Sequence, residues 1–331
     1  MTNSSPRLLI KNGTVIDGSG RDPVRNTLVV VEGNRITHVG RGDGSLRPET
    51  PDDAVIDAAG KFILPGLIDA HCHISLHQGA LPGVRYTSSA EFCTLWAAHA
   101  IGRVLRAGVT SIAVPGGKWF TDVTVREAVE GGLLQGPRMV VAARALSNYG
   151  GIFDPDPYHA FEGTPADTAG VLCNTRDEFI RETRKQCKRG VDLIKIADSY
   201  WGDIQTCADD EIAAVVDEAH RHNVKVAIHS RGSTSTRAAA KAGVDVIYHG
   251  DLATEADSRH RCQGRYADCA GADLAMDRLD AWHRRPHRRP PAGATRHVVP
   301  DDPQCTRARH PDRRRQRHRE RLGFRAWKMA R

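Results

Sequence analysis

The sequence predicts an α/β protein, with a small β domain over residues 1–64 and a parallel sheet of βα units over residues 65–257. Three observations predict it. Strand-length apolar runs separated by Gly- and Asn-containing turns fill residues 7–61. From residue 65 such runs alternate with amphipathic stretches of helical length, and the later runs carry a lysine or end in a histidine. Strands alternating with helices are the pattern of a parallel sheet joined by helical crossovers.

Residues 8–10, 14–16, 27–31, 35–39 and 54–56 read as strands. The turns Asn12-Gly13 and Gly33-Asn34, with glycines at 18 and 20, predict an antiparallel arrangement. Residues 62–74, F-I-L-P-G-L-I-D-A-H-C-H-I, read as a buried parallel strand whose carboxyl end carries His71 and His73. Side chains two apart on a strand face the same way, roughly 6 to 7 Å apart, so both imidazoles can address one metal ion.

A helix over 88–107 is opened by Ser88 with Glu91 three residues on, and carries Phe92, Leu95, Trp96 and Ile101 at helical spacing. A strand over 109–114 ends in Pro115-Gly116-Gly117, and a helix over 122–134 leads to a strand over 139–143. The segment 147–171, rich in Gly, Pro and Asp, is expected to fold over the carboxyl ends of the strands. Helices over 175–189, 206–222 and 236–242 then alternate with strands over 191–198, 224–229 and 244–249, the first two helices opened by Thr175 with Glu178 and Thr206 with Asp209. Six βα steps result. In a (β/α)8 barrel the chemistry sits at the carboxyl ends of the strands.

Lys195 lies inside the apolar strand D-L-I-K-I-A, where an unpaired ammonium is expensive. It either ion-pairs within the sheet or does chemistry. His229 and His249 end the next two strands. A single strand histidine is commonly a core residue bonded to a carbonyl, but two at successive strand ends, after an H-x-H and a strand lysine, point to a metal site.

A chain of 331 residues is long enough for a full single-domain core. Its net charge of +7 is concentrated after residue 257, so it says little about the front of the chain. The eight cysteines form no C-x-x-C pair, which predicts reduced thiols and a cytoplasmic location. No apolar run approaches the roughly 18 residues of a membrane span, so no membrane partner is expected.

The runs L-L-I-K-N-G-T-V-I-D-G from Leu8 and V-I-D-A-A-G-K-F-I-L-P-G-L-I-D-A-H-C-H from Val55, with the three later strand motifs, resemble the amidohydrolase superfamily of metal-dependent hydrolases. The likeness is to its imidazolonepropionase-like and Xaa-Pro or Xaa-Arg dipeptidase-like branch, and it covers residues 8–251. It implies a (β/α)8 TIM-type barrel, here incomplete after strand six, and an amino-terminal β-sandwich completed by strands from the carboxyl end. It also implies a ligand set: His71 and His73 for a buried metal, Lys195 as a bridging carbamate, and His229 and His249 for a more exposed metal. One or two divalent cations are implied, zinc first. Burial disfavours a charged amine, and only the neutral amine reacts with carbon dioxide.

The reaction implied is hydrolysis of a carbon–nitrogen bond by a metal-bridging hydroxide, in a small substrate such as an N-acyl amino acid, a dipeptide or a cyclic amide. Tyr200 and Trp201, just past the lysine strand, either wall the substrate pocket or only pack their loop. The family's aspartate at the end of strand eight, within G-T-D, has no counterpart after His249. Asp301 in H-V-V-P-D-D-P is a poor substitute because proline breaks the strand. Losing that acid–base group costs about 10² to 10⁴ in rate, which puts activity in doubt. The alternatives are a single-metal deaminase, in which Lys195 has no task, and an inactive remnant.

After residue 257 about a quarter of the residues are arginine, lysine appears once, and apolar periodicity disappears. Such a segment is expected to be disordered. Its composition fits a GC-rich gene read out of frame, or a basic tail that binds nucleic acid nonspecifically. A zinc module from Cys262, Cys269, His283 and His287 fits poorly, because six residues separate the cysteines where two to four are usual. A homo-oligomer is compatible with everything above.

Overall fold

A computed structural model of the chain describes residues 6–42, 52–76, 89–154, 169–199 and 204–254, with the backbone of a short strand at 267–268. All belong to one compact unit, Met1–Trp282. Ser88, Tyr200, Trp201, Asp301 and the four residues of the zinc module lie outside the described residues.

The first sheet contains β1 (Arg7–Val15), β2 (Val24–Glu32), β3 (Arg35–Arg41), β4 (Ala54–Asp57) and β5 (Phe62–Ile63). Its order is β3-β2-β1-β4, with β5 also on β1. The two hairpins are antiparallel, but β4 and β5 run parallel to β1, so the sheet is mixed and not antiparallel as expected. Tight turns enforce antiparallel pairing only between the strands they join, and no such turn joins β1 to β4 or β5. The stretches 8–10 and 14–16 form one strand, its register shifting around Gly13. Asp53 ties the start of β4 to β1, accepting from the Arg7 amide at 3.0 Å and from its guanidinium at 3.0 and 3.2 Å.

The run 62–74 is not one buried strand. Phe62 and Ile63 finish the first sheet, while β6 (Leu67–Asp69) opens the next by pairing with β7 (Val109–Val114). Pro65-Gly66 is the junction. Proline has no amide hydrogen for a ladder, and at Gly66 a Cβ would come within 2.1 Å of Thr110 Oγ1, so only glycine fits. The apolar residues on either side are exposed, Phe62 by 65% and Leu67 by 57%. They lie on short strands with little packed above them.

β6, β7 and β8 (Arg138–Val141) form a three-stranded parallel sheet. A six-stranded sheet has the order β10-β9-β11-β12-β13-β14, from β9 (Ala145–Ser147), β10 (Gly170–Leu172), β11 (Leu193–Ala197), β12 (Lys225–Gly232), β13 (Val246–Leu252) and β14 (Ala267–Asp268). The strand expected over 139–143 breaks at Ala143, whose φ is 56°, so β8 joins one sheet and β9 the other. The segment 147–171 therefore begins and ends in strand. β14 also lies inside the basic segment expected to lack structure, where it pairs in parallel with β13.

Five helices cover one side of these strands: α1 (Ala90–Arg106), α2 (Thr121–Glu130), α3 (Arg176–Lys188), α4 (Asp209–Arg221) and α5 (Ser233–Ala242). The cap of α1 is Ser89, not Ser88; its Oγ accepts the Phe92 amide at 3.3 Å. Leu95 is 73% exposed because the buried stripe is Cys93, Ala97 and Ile101, spaced by four. α2 stops at Glu130, short of Leu134, where Gly131 and Gly132 follow. α4 starts at Asp209, not Thr206, with Glu211 accepting the Ala208 amide at 2.8 Å. α5 starts three residues before Thr236, at Ser233.

Strand residues alternate between two apolar layers. Ile112, Met139, Ile194, Val226 and Ile247 pack with the helices. Ala113, Val140, Ala142, Leu193, Ala227 and Tyr248 form a second cluster on the opposite face, drawn from both parallel sheets.

Two buried aspartates fix the backbone at the carboxyl ends of these strands. Asp122 Oδ2 accepts the amides of Ala142 at 3.1 Å and Ala143 at 2.8 Å, and Oδ1 accepts that of Val123 at 2.9 Å. Asp198, just past β11, accepts the amides of Thr206 and Cys207 on Oδ1, each at 2.8 Å, and the Ser235 hydroxyl on Oδ2. Thr206 is therefore spent on this link and does not cap α4.

Asp122→Ala strands the buried amides of Val123 and Ala143, while that of Ala142 keeps Val114 O at 3.1 Å, and at about 1–3 kcal/mol per group it is expected to lower the unfolding free energy by about 2–6 kcal/mol in a urea titration. An unchanged midpoint would show that these bonds do not hold the strand ends. Burial pushes the Asp122 carboxyl up to about 6, against amide donors that favour the anion. A folded value above the unfolded one stabilises fully below about pH 4, and that contribution is lost as pH rises through about 6. The stability gap between wild type and the non-ionising Asp122→Asn is therefore expected to narrow across that interval; a gap constant with pH would contradict it.

Candidate metal centre

The carboxyl ends of β6, β11, β12 and β13 bring four histidines and Lys195 together. His71 and His73 follow β6 and do not sit within it. The His71 amide donates to Asp69 Oδ1 at 3.0 Å, an Asx-type turn that ends the strand. The Cys72 amide donates to Ala113 O at 3.0 Å, and its side chain packs against the helix-side core. Burial pushes the Cys72 thiol up to about 12, so it stays protonated between the two imidazoles.

His73 lies where three loops are sewn together. Its Nδ1 is 2.7 Å from Gly116 O, and as a carbonyl only accepts, Nδ1 carries the hydrogen and Nε2 the lone pair. Gly116 has a φ of 138°, which suits glycine and aims its carbonyl at the ring. Beside it Gly117 donates to Ala143 O at 2.7 Å, and the Lys118 amide donates to Ser75 Oγ at 2.8 Å.

The ring centroids of His71 and His73 are 5.2 Å apart, those of His71 and His249 5.3 Å, and those of His229 and His249 4.4 Å. Lys195, 3% exposed, places Nζ 4.1 Å from the centroid of the Tyr248 ring. That contact, worth about 0.5–2 kcal/mol, helps hold a buried amine in an apolar strand. Tyr248 also packs on His71 at 4.2 Å and donates its hydroxyl to Ala70 O at 3.0 Å, linking β13 to the segment after β6.

His249 reaches this group by breaking the alternation of its strand. In the β12–β13 register Tyr248 lies opposite His229, and His249 opposite Ser230, so a regular strand would turn His249 the other way. Instead His249 and Gly250 are left-handed, with φ of 74° and 64°, and the register slips by one residue before Gly232 meets Leu252. This is a β-bulge, a device that re-aims side chains beside functional sites.

Burial lowers all four imidazoles, with the charge of Lys195 adding to it. His71 and His229 are pushed down to about 3. All four are neutral near pH 7, the state in which imidazole binds a metal. His229 Nε2 is buried with no hydrogen-bond partner among the described residues, a ring nitrogen that a cation would satisfy. As the rings stand, no group of three His, Cys, Asp or Glu among the described residues is set around one point. The donor chemistry fits a divalent metal; the side-chain directions leave the coordination polyhedron undefined.

Sequence reasoning singled out these five residues. It missed Tyr248, Asp122 and Asp198, which act through partners distant in the chain, and it missed the bulge. Asn or Gly beside a strand histidine signals positive φ, and His249-Gly250 carries that signal.

Residues 62–272 match the amidohydrolase family, starting later and ending further on than the likeness read from the motifs. A 5'-deoxyadenosine deaminase of Methanothrix thermoacetophila is 28% identical over 67% of this chain and 46% of its own length. The chain spans about half the length of the curated relatives it matches. A crystal structure of an amidohydrolase superposes with a TM-score of 0.68 at 29% identity, covering 79% of this chain and 65% of the other. A Xaa-Pro dipeptidase with methionine bound in its active site gives 0.68 at 25% identity, over 79% and 66%. No helix among the described residues is long and apolar enough to cross a membrane. With more than half of its length matched, the chain belongs to the amidohydrolase family.

Proposed function

We propose that this chain is a metal-dependent hydrolase of carbon–nitrogen bonds in small molecules, built on the two parallel sheets as part of a (β/α)8-type barrel. The orphaned Nε2 of His229, within a group of four neutral imidazoles at the strand ends, is the observation that carries the reading. The two parallel sheets sharing one inner apolar cluster support the barrel. His71 and His73 would hold one cation, His229 and His249 a second, and Lys195, carboxylated, would bridge them. Zinc suits imidazole and oxygen donors best. A divalent cation bound there supplies Lewis acidity, polarising a carbonyl and lowering the pKa of water to about 7.

The chain's own residues prepare the site for that chemistry. Gly116 fixes the tautomer of His73 and leaves Nε2 to donate a lone pair. Burial keeps His71 and His229 unprotonated at neutral pH. Tyr248 shields Lys195 from water, and carbamate formation joins its nitrogen to carbon dioxide with loss of a proton to solvent. Its hydroxyl, bonded to Ala70 O, holds the segment before His71 against β13.

A second reading is a single-metal deaminase, favoured by the deaminases among the relatives. It leaves the buried position of Lys195 beside all four histidines without a task. Metal counting separates the two. Protein stripped with chelator and reloaded is expected to bind about two equivalents of zinc, about one for a deaminase. Lys195→Met is expected to lower the count for the hydrolase alone. Chelation is expected to abolish release of the amine from an N-acyl amino acid, and zinc to restore it. His229→Ala is expected to cut the rate by at least about 100-fold. Full activity after metal removal would refute the proposal.

A further inference from the structure

Beyond the histidines, β12 and β13 carry a second pair of facing side chains. Arg231 is two residues past His229 on the same strand, and residues two apart share a face. Its Nε donates to Asp251 Oδ1 at 3.0 Å, and its Nη2 donates to Asp251 Oδ2, forming a bidentate fork. Asp251 is two residues past His249, brought opposite Arg231 by the bulge at 249–252. The backbone of Arg231 is fixed as well, its amide donating to the buried Ser199 Oγ at 3.1 Å, just past the strand that carries Lys195. The guanidinium charge reaches both His229 and His249.

Stability accounts for only a modest part of this arrangement. The two side chains are 27% and 47% exposed, and an ion pair that accessible to water adds little to folding. An accessible pair also exchanges its carboxylate readily. We propose that Arg231 anchors the free carboxylate of the substrate, which displaces Asp251 from the fork. The inference rests on the hydrolase reading above and narrows it to amides that carry a carboxylate, such as N-acyl amino acids. Asp251 holds the guanidinium in the geometry the substrate carboxylate takes over, so the fork is ordered before binding. A nucleoside, which has no carboxylate, gains nothing from it.

The test compares N-benzoylglycine with its carboxamide, which differ only in that charge and have no amino-acid side chain to misfit. Zinc-loaded full-length protein is expected to favour the acid by about 10- to 100-fold in kcat/KM for benzoate release. Arg231→Gln is expected to collapse that ratio toward unity by raising KM for the acid, and Arg231→Lys to restore part of it. Asp251→Asn, which loosens the internal competitor, is expected to raise the ratio. An unaltered ratio in Arg231→Gln overturns the proposal. If neither compound is cleaved, it is the hydrolase reading that fails for this substrate, and calorimetric binding of the same two compounds decides the fork. Preference for the acid that vanishes in Arg231→Gln supports it, and equal or undetectable binding of the two overturns it.

Discussion

A parallel sheet ends in loops whose backbone amides must find partners, and here two buried carboxylates meet that need. Asp122 gathers amides from β8's end and from its own helix; Asp198 gathers the loop that leads into α4 and the hydroxyl of Ser235 in α5. An amide left unpaired in such a place costs about 1–3 kcal/mol, so these contacts decide where each loop leaves its strand. The candidate metal centre inherits that precision. The Gly117–Ala143 bond sits next to the Asp122 contacts, and Gly116, one residue earlier, holds His73. The stitching of β7 to β8 therefore sets the direction of an imidazole on neither strand.

Much of this was legible in the sequence, for reasons that differ by element. The strands that carry Lys195, His229 and His249 follow from apolar runs that are buried, whereas the run before His71 is largely exposed and its histidines are placed by the loop after β6. What failed depends on tertiary partners. The 62–74 run reads as one strand because Pro65-Gly66 is a short interruption, yet Thr110 leaves no room for any residue but glycine there, and the chain changes sheets. Thr206 has the right spacing to cap a helix, but Asp198, eight residues earlier, claims it. Leu95 has the right polarity and the wrong angle, since Cys93, Ala97 and Ile101 already fill the stripe. β4 and β5 run parallel to β1 because pairing across long connections is set by the sheet, not by local turns.

Tyr248 shows how an inner strand position can serve structure and chemistry together. Most neighbours in its cluster are small, Ala113, Ala142 and Ala227 among them, and that leaves room for one large ring. The ring meets Lys195 on its face, packs against His71, and spans to Ala70 through its hydroxyl. A smaller residue there would leave a cavity beside the amine, and an aliphatic one would remove the π face that offsets its charge.

The bulge in β13 ties the two layers of the site together. A left-handed residue other than glycine costs about 1–2 kcal/mol, and His249 bears that strain in a strand that otherwise alternates regularly. Without the extra residue His249 would face the helices with Ser230. With it, His249 turns to within 4.4 Å of His229, and Asp251 arrives opposite Arg231. One irregularity therefore produces both the imidazole pair and the guanidinium–carboxylate pair two residues above it. Any change that restored regular pairing at Gly250 would be expected to separate both at once, which makes the bulge the geometric link between the metal site and the group proposed to hold its substrate.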